Sequence, residues 1–368
     1  MATLGAIGAN SGITGTGPFT KSGSGALTMS SLIATSSSVT VDGGTLTQLN
    51  TQNTYPGGTL TLTNAGSNFT GNIVVDGGTL TASAFSAGAT GALGVVNSGG
   101  HFVTVNTGST LRFTVNNIFG NGVGNGGLPA IILNASTLTS TRYNVLGSLT
   151  LLGATLTQSA TDAGNYEGFQ FLGDVTVGGG APSTISTSAG KANHLGANTT
   201  FDVADVTGSN ATDLTISAPL RNQSGDFGLG AGALTKVGAG TLTITGAQSY
   251  ATLNQNDGRT NLNTSLPNAT INANGGKLVL FADATNSTVN VNAGGSAYFV
   301  SSQTLADLTI ADGGYAEVTS IPPAGFDDGG PAFAGEVGVA PEVAAVPEPG
   351  TLGLLLIGVA GLLGRHRR

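Results

Sequence analysis

The chain has 368 residues, of which only 8% are charged, against roughly a quarter in an ordinary soluble domain. Its 11 Lys and Arg stand against 19 Asp and Glu, a formal charge of −8 that argues against nucleic acid as a partner, because phosphate binding needs a basic face. No Cys is present, which excludes a disulfide framework and thiolate catalysis alike.

The opening stretch, MATLGAIGANSGITGTG, has neither a basic n-region nor an apolar h-region of the usual length. The expectation is a truncated or misplaced start, with SGITGTGPF at 11–19 already in mid-repeat. Beyond it, Gly pairs follow β-branched residues in VDGGTL at 41–46 and 75–80, in NANGGKLVL at 272–280, in NAGGSAYFV at 292–300 and in ADGGYAEV at 311–318. The last three pairs begin at Gly275, Gly294 and Gly313, 19 apart, and Gly57 and Gly77 are 20 apart. One turn signal per period of about 20 marks a solenoid.

Between the turns the side chains alternate, with Thr59, Thr61 and Thr63 against Leu60 and Leu62, then Thr288, Asn290 and Asn292 against Val289 and Val291. Period two places Leu and Val on one face and Thr and Asn on the other. The expected fold is all-β, a parallel β-solenoid over 1–320, with Leu242 and Ile244 facing inward and Thr241 and Thr243 outward. The competing architecture is an antiparallel β-sandwich, which has no reason to keep a 19-residue spacing.

Catalytic chemistry on such a body needs carboxylates that converge on one face, or a Ca²⁺ cluster. Asp202 and Asp205 in TFDVADV are three apart and predicted on opposite faces, and Asp162 and Glu167 flank AGNY in a predicted solvated loop. His101 and His194 stand alone, and NQNDGRTN at 254–261 has Leu253 where a Ca²⁺ loop would place its first carboxylate, so it reads as a turn. No catalytic residue, metal ligand or cofactor is predicted. TLTLT and TLTIT suggest flat ranks of Thr that could meet ice or sugar, but the clusters do not recur at one fixed place in the sequence repeat.

Residues 321–345 form a Pro- and Gly-rich acidic stretch, with Asp327, Asp328, Glu336 and Glu342, and read as a spacer. The final segment, VPEPGTLGLLLIGVAGLLGRHRR at 346–368, joins a rigid Pro-Glu-Pro to an apolar run and a basic end. Gly350 to Gly364 is 15 residues without charge, which as a helix spans about 22 Å, short of a bilayer core of about 30 Å. A short hydrophobic helix is expected, marginal as a span of the inner membrane, with Arg365, Arg367 and Arg368 stopping it on the cytoplasmic side.

Two resemblances sharpen this reading. GALTKVGAGTLTITGAQSY, Gly232 to Tyr250, is similar to the autotransporter-associated β-strand repeat, and PFTKSGSGALTMSS, Pro18 to Ser31, keeps its frame with Phe19, Lys21, Gly23 and Gly25. That resemblance implies a right-handed parallel β-helix on an exported surface protein, and no particular activity. The tail resembles the PEP-CTERM sorting signal, whose head is matched by Val346, Pro347, Glu348 and Pro349. The resemblance implies export, a membrane-tethered precursor, and removal of the tail by an exosortase, a membrane-embedded Cys-type transpeptidase or protease. The expectation is a non-enzymatic surface or extracellular-matrix protein, with exopolysaccharide or another surface glycan as candidate partner. The alternatives are a β-helical polysaccharide-processing enzyme and a Thr-rich ice- or glycan-binding protein.

Overall fold

In the computed structural model the chain divides into two units, Met1–Asp328 and Gly329–Arg368. Strands are described from Ile13 onward. Side chains are described within 61–319, apart from 63–71, 76–78, 87–90, 95–101, 121–126, 160–165 and 189–190. The predicted spacer and tail, 321–368, lie outside the described residues.

The first unit is a β-solenoid. A 14-stranded sheet and a 12-stranded sheet alternate along the chain, so that from the strand Gln52–Pro56 onward each coil gives one strand to each, and all pairing within both sheets is parallel. A third, 5-stranded sheet joins them between Asn144 and Ser249. The small pair Thr90–Gly91 and Gly94–Val95 is antiparallel, and no antiparallel sandwich is built from the described strands. Among the described residues the helical content is a single 3-10 turn, Gly225–Phe227.

Alternation sets what each strand buries. In the 14-stranded sheet Leu80 pairs in register with Leu111, then Leu138, Leu156, Ile185, Ile216, Ile244 and Leu262, every one buried. The residue before each leucine or isoleucine points the other way. Thr79, Thr110, Thr137, Thr155, Thr184, Thr215 and Thr243 therefore form an unbroken outward rank. This corrects the expectation that Thr does not recur at one place: it recurs in register, while its spacing in sequence runs from 18 (Thr137 to Thr155) to 31 (Thr79 to Thr110). Strand positions are conserved from coil to coil and the connecting loops absorb the difference, as with Thr200 and Thr235, 35 apart yet paired.

Amide ladders continue the pattern on the other sheet. Asn290 Nδ2 donates to Asn272 Oδ1 and Asn272 Nδ2 to Asn254 Oδ1, each at 2.8 Å, and Asn292, Asn274 and Asn256 repeat the arrangement two residues further along at 2.6 and 2.9 Å. In such ladders the middle amides, Asn272 and Asn274, are engaged at both ends by the coils on either side.

The corners explain the glycines. Gly258 and Gly276 both have φ of +63°, and a Cβ on either would strike the carbonyl oxygen of a glycine in the preceding coil, Gly238 and Gly258 respectively. Glycine is required there twice over, by the left-handed backbone and by the approach of stacked main chains. Lys236 lies at the same turn. It is aligned with Phe201 and Gln255 on the inward side, fully buried, and its Nζ donates to Gly238 O at 2.6 Å and Asp257 O at 2.9 Å. At the far end of the stack, Ile310 and Val318 pair with the core residues Val291 and Phe299 but are 50% and 68% exposed.

One facing assignment needs correction. Leu242 and Ile244 are buried and Thr243 is part-exposed as expected, but Thr241 is only 1% exposed. A bulge between Thr212 and Leu214 inserts Asp213, whose buried carboxylate accepts hydrogen bonds from the backbone of Val206 and Thr207 and, at 2.7 Å, of Thr241. That ties the loop down over an outward position.

Leu242→Asp and Ile244→Asp are expected to cost about 3 kcal/mol or more in chemical denaturation, as each buries an unpaired charge. Thr241→Asp is expected to join them, since it sets a second carboxylate beside Asp213, whereas Thr243→Asp stays within about 1 kcal/mol of the parent. Lys236→Met keeps the stem but removes the donor over Gly238 O, and a loss of about 2 kcal/mol is expected in the same measurement; an unchanged midpoint would mean the corner does not need the amine.

Candidate functional site

The residues that the sequence singles out fall into two groups. Val346, Pro347, Glu348, Pro349, Arg365, Arg367 and Arg368 lie outside the described residues, as do Asp162 and His101. Among the remaining candidates, which are visible, Glu167 and His194 come close enough to interact electrostatically, with Arg221 beside both. Asp202 is exposed on the strand Thr199–Val203, and Asp205 lies past its end, where its Oδ1 accepts from Ser209 N at 3.2 Å. Residues 256–258 form the predicted turn between strands Thr252–Gln255 and Arg259–Leu262. No group of three or more His, Asp or Glu that could hold a metal ion occurs among the described residues.

Glu167 overturns its expectation. It is not solvated: its Oε1 pairs with Lys191 Nζ at 3.3 Å, and its Oε2 accepts from Arg221 Nη1 at 3.1 Å and from Ala192 N at 3.2 Å. With both oxygens engaged, the carboxylate is a structural anion rather than a free base.

His194 is likewise part of a built arrangement. The strands Phe169–Phe171 and Asn193–Leu195 turn Phe169, Phe171 and Leu195 into the core, so Gln170 and His194 face the opposite side of the third sheet. Yet Gln170 is fully buried and His194 only 3% exposed. The cover is the segment 222–232, which contains the 3-10 turn Gly225–Phe227. Ser224 N donates to Gln170 Oε1 at 2.8 Å, the Tyr143 hydroxyl and Ser224 Oγ lie 2.7 Å apart, and Asn222 Oδ1 accepts from Gly232 N at 2.8 Å and Ala251 N at 3.0 Å. Gly225 lies directly against the Tyr166 ring, leaving no room for a Cβ, and Tyr166 meets Tyr143 edge to face at 5.6 Å. The strap is thus fastened at both ends and the middle.

Its electrostatics follow from burial. The Tyr143 hydroxyl is pushed well above its ordinary range by desolvation, and Asp226 beside it is also raised by burial. His194 is lowered chiefly by burial; the Asn222 carbonyl opposes this as the next largest effect, followed by a lowering from Arg221 and a raising from Glu167. Its Nδ1 lies 2.8 Å from Asn222 O, which assigns the proton to Nδ1 and leaves Nε2 buried without a partner. Sequence reading missed this group because its members lie far apart along the chain, from Tyr143 to Asp226, and only coil stacking brings them together. What the arrangement does is hold the strap, because the Ser224 and His194 side chains are engaged with Tyr143 and the backbone and not with each other.

Because folding favours the neutral imidazole, the stability associated with His194 is complete above its unfolded pKa of about 6.5 and is lost as pH falls from there through the lowered folded value. The unfolding temperature is expected to fall between pH 7 and pH 5, and His194→Gln to flatten that dependence; an unaltered pH slope in the variant would rule out this assignment.

Comparison with known proteins concerns the other end of the chain. No curated protein and no solved structure matches it. No helix among the described residues is long and apolar enough to cross a membrane. Residues 345–368 match the PEP-CTERM protein-sorting motif, which implies exosortase-dependent export to the cell surface.

Proposed function

We propose that this chain is a non-enzymatic surface or extracellular-matrix protein, a β-helical body of autotransporter-associated-type repeats delivered by its C-terminal tag. The observation that carries the reading is the sorting-motif match over 345–368. The tail inserts transiently in the inner membrane with Arg365, Arg367 and Arg368 in the cytoplasm, and an exosortase removes it near Val346 to Pro349. Physical chemistry supports that order of events. An apolar run of 15 residues makes a weak permanent anchor, while Pro347 and Pro349 keep the chain just outside it extended and open to a protease. Parallel strands repeated coil after coil fit the repeat resemblance.

A passive body is supported by the state of the acidic side chains. Asp202 and Asp205 are exposed at separate places, and Glu167 is committed to Lys191 and Arg221. The partner proposed for the body is exopolysaccharide or another surface glycan of the matrix into which it is exported.

In a host with an exosortase, mass spectrometry of the mature protein is expected to show a C-terminus lacking the arginines. A cut C-terminal to Glu348 removes three of the 11 basic residues and none of the 19 acidic ones, taking the formal charge from −8 to −11. Replacing Pro347, Glu348 and Pro349 with Ala is expected to leave the full-length chain in the inner membrane. Identical mass and location for the triple variant and the parent would make the tail a simple anchor.

A further inference from the structure

The outward face of the 14-stranded sheet carries a regular array. Its first rank runs from Thr79 to Thr243 without interruption. A second rank lies two residues further along the strands, where Thr81, itself buried, is followed by Arg112, Thr139, Thr157 and Ser186. Coil spacing sets the Cα atoms of a rank about 4.8 Å apart, and strand rise sets the ranks about 6.6 Å apart. Thr137, Thr139, Thr155 and Thr157, on two adjacent coils, are all partly exposed. The hydroxyls are linked within the face, with Thr184 Oγ1 donating to Thr155 Oγ1 at 3.3 Å and the Thr212 and Thr243 hydroxyls 2.7 Å apart. β-branching stiffens χ1, so the array is ordered before any ligand arrives.

The composition of the face restricts what it can hold. Arg112 is the one charged side chain in these two ranks, so an ionic polymer finds no complementary charge. Neither rank presents an aromatic ring on which the apolar face of a sugar could stack. A hydroxyl that exchanges water for a soluble glycan gains little net free energy, and the glycan must lose conformational freedom as well. A solid whose hydroxyl groups already sit on a lattice loses no such freedom, and methyl groups between the hydroxyls order the adjoining water. Of the solids that present hydroxyls in two dimensions, a crystalline polysaccharide also presents C–H faces that this surface has no ring to meet.

We propose that the threonine face binds ice. The ligand is solid water itself, met by the two ranks across the coils from Thr137 to Ser186. This goes beyond delivery by the tail and stands whether or not the tail is processed.

The test is partition of the purified full-length chain, labelled with a fluorophore, into ice grown slowly on a cold finger beside an unlabelled bystander protein, together with thermal hysteresis on single ice crystals. Enrichment in the ice, faceted crystals and a measurable hysteresis gap are expected. Thr139→Lys combined with Thr157→Lys is expected to return both readouts to the bystander level with an unchanged circular dichroism spectrum. Thr150→Lys on the other sheet should leave them intact. If the lysine pair lowers the unfolding temperature, Thr157→Val, which keeps the side-chain shape, takes its place and is expected to reduce the hysteresis gap. Exclusion from ice, binding retained by the threonine variants, or adsorption to microcrystalline cellulose or chitin without hysteresis would each overturn the proposal.

Discussion

Everything described in this molecule depends on one constraint, that successive coils pair in parallel and in register. Hydrogen bonds between coils fix each residue above its counterpart, so whatever faces inward in one coil faces inward in the next. The line from Leu80 to Leu262 is the apolar result, and the Asn254, Asn272 and Asn290 ladder is the polar one. Burial drives the stack together, and main-chain pairing decides that it does so with like on like. A stack of this kind can remain stable with few charges because its outer hydroxyls and amides are satisfied by one another along the axis as well as by water.

Parts of this were legible in the sequence for a clear reason. Gly pairs are required by corner geometry, as at Gly276, and corner geometry repeats, so the spacing survives near the C-terminal end where coils are 18 or 19 residues long. Alternation gave the facing of Leu242, Thr243 and Ile244 because it is local. Lys236 could have been read in the same way, since it shares the parity of Leu234 and must therefore point inward.

Other features were hidden because they depend on distant pieces of chain. The threonine rank is continuous in space but irregular in sequence, because loops of different length leave and return between paired strands. Gln170 and His194 have outward parity, and they are buried only because a segment more than 25 residues later folds back over them. Thr241 is covered by a bulge in the neighbouring coil. Glu167 looked like a solvated loop carboxylate until stacking brought Lys191 and Arg221 beside it, one and two coils on. The tail was readable for a different reason, as its rigid head, apolar run and basic end follow one another in the sequence itself.

The half-exposed core residues at the last coil have a mechanical meaning. Ile310 and Val318 occupy positions that every earlier coil covers, so the strands Asp307–Ile310 and Tyr315–Val318 are held from one side only. Tension on the C-terminal side of the stack would load the hydrogen bonds of that coil alone, in the manner of a zipper, before any reached the coil behind it. Detachment would then proceed in steps of one coil, each releasing a short length of slack. A body built in this way would yield gradually, one coil at a time, when pulled from that end.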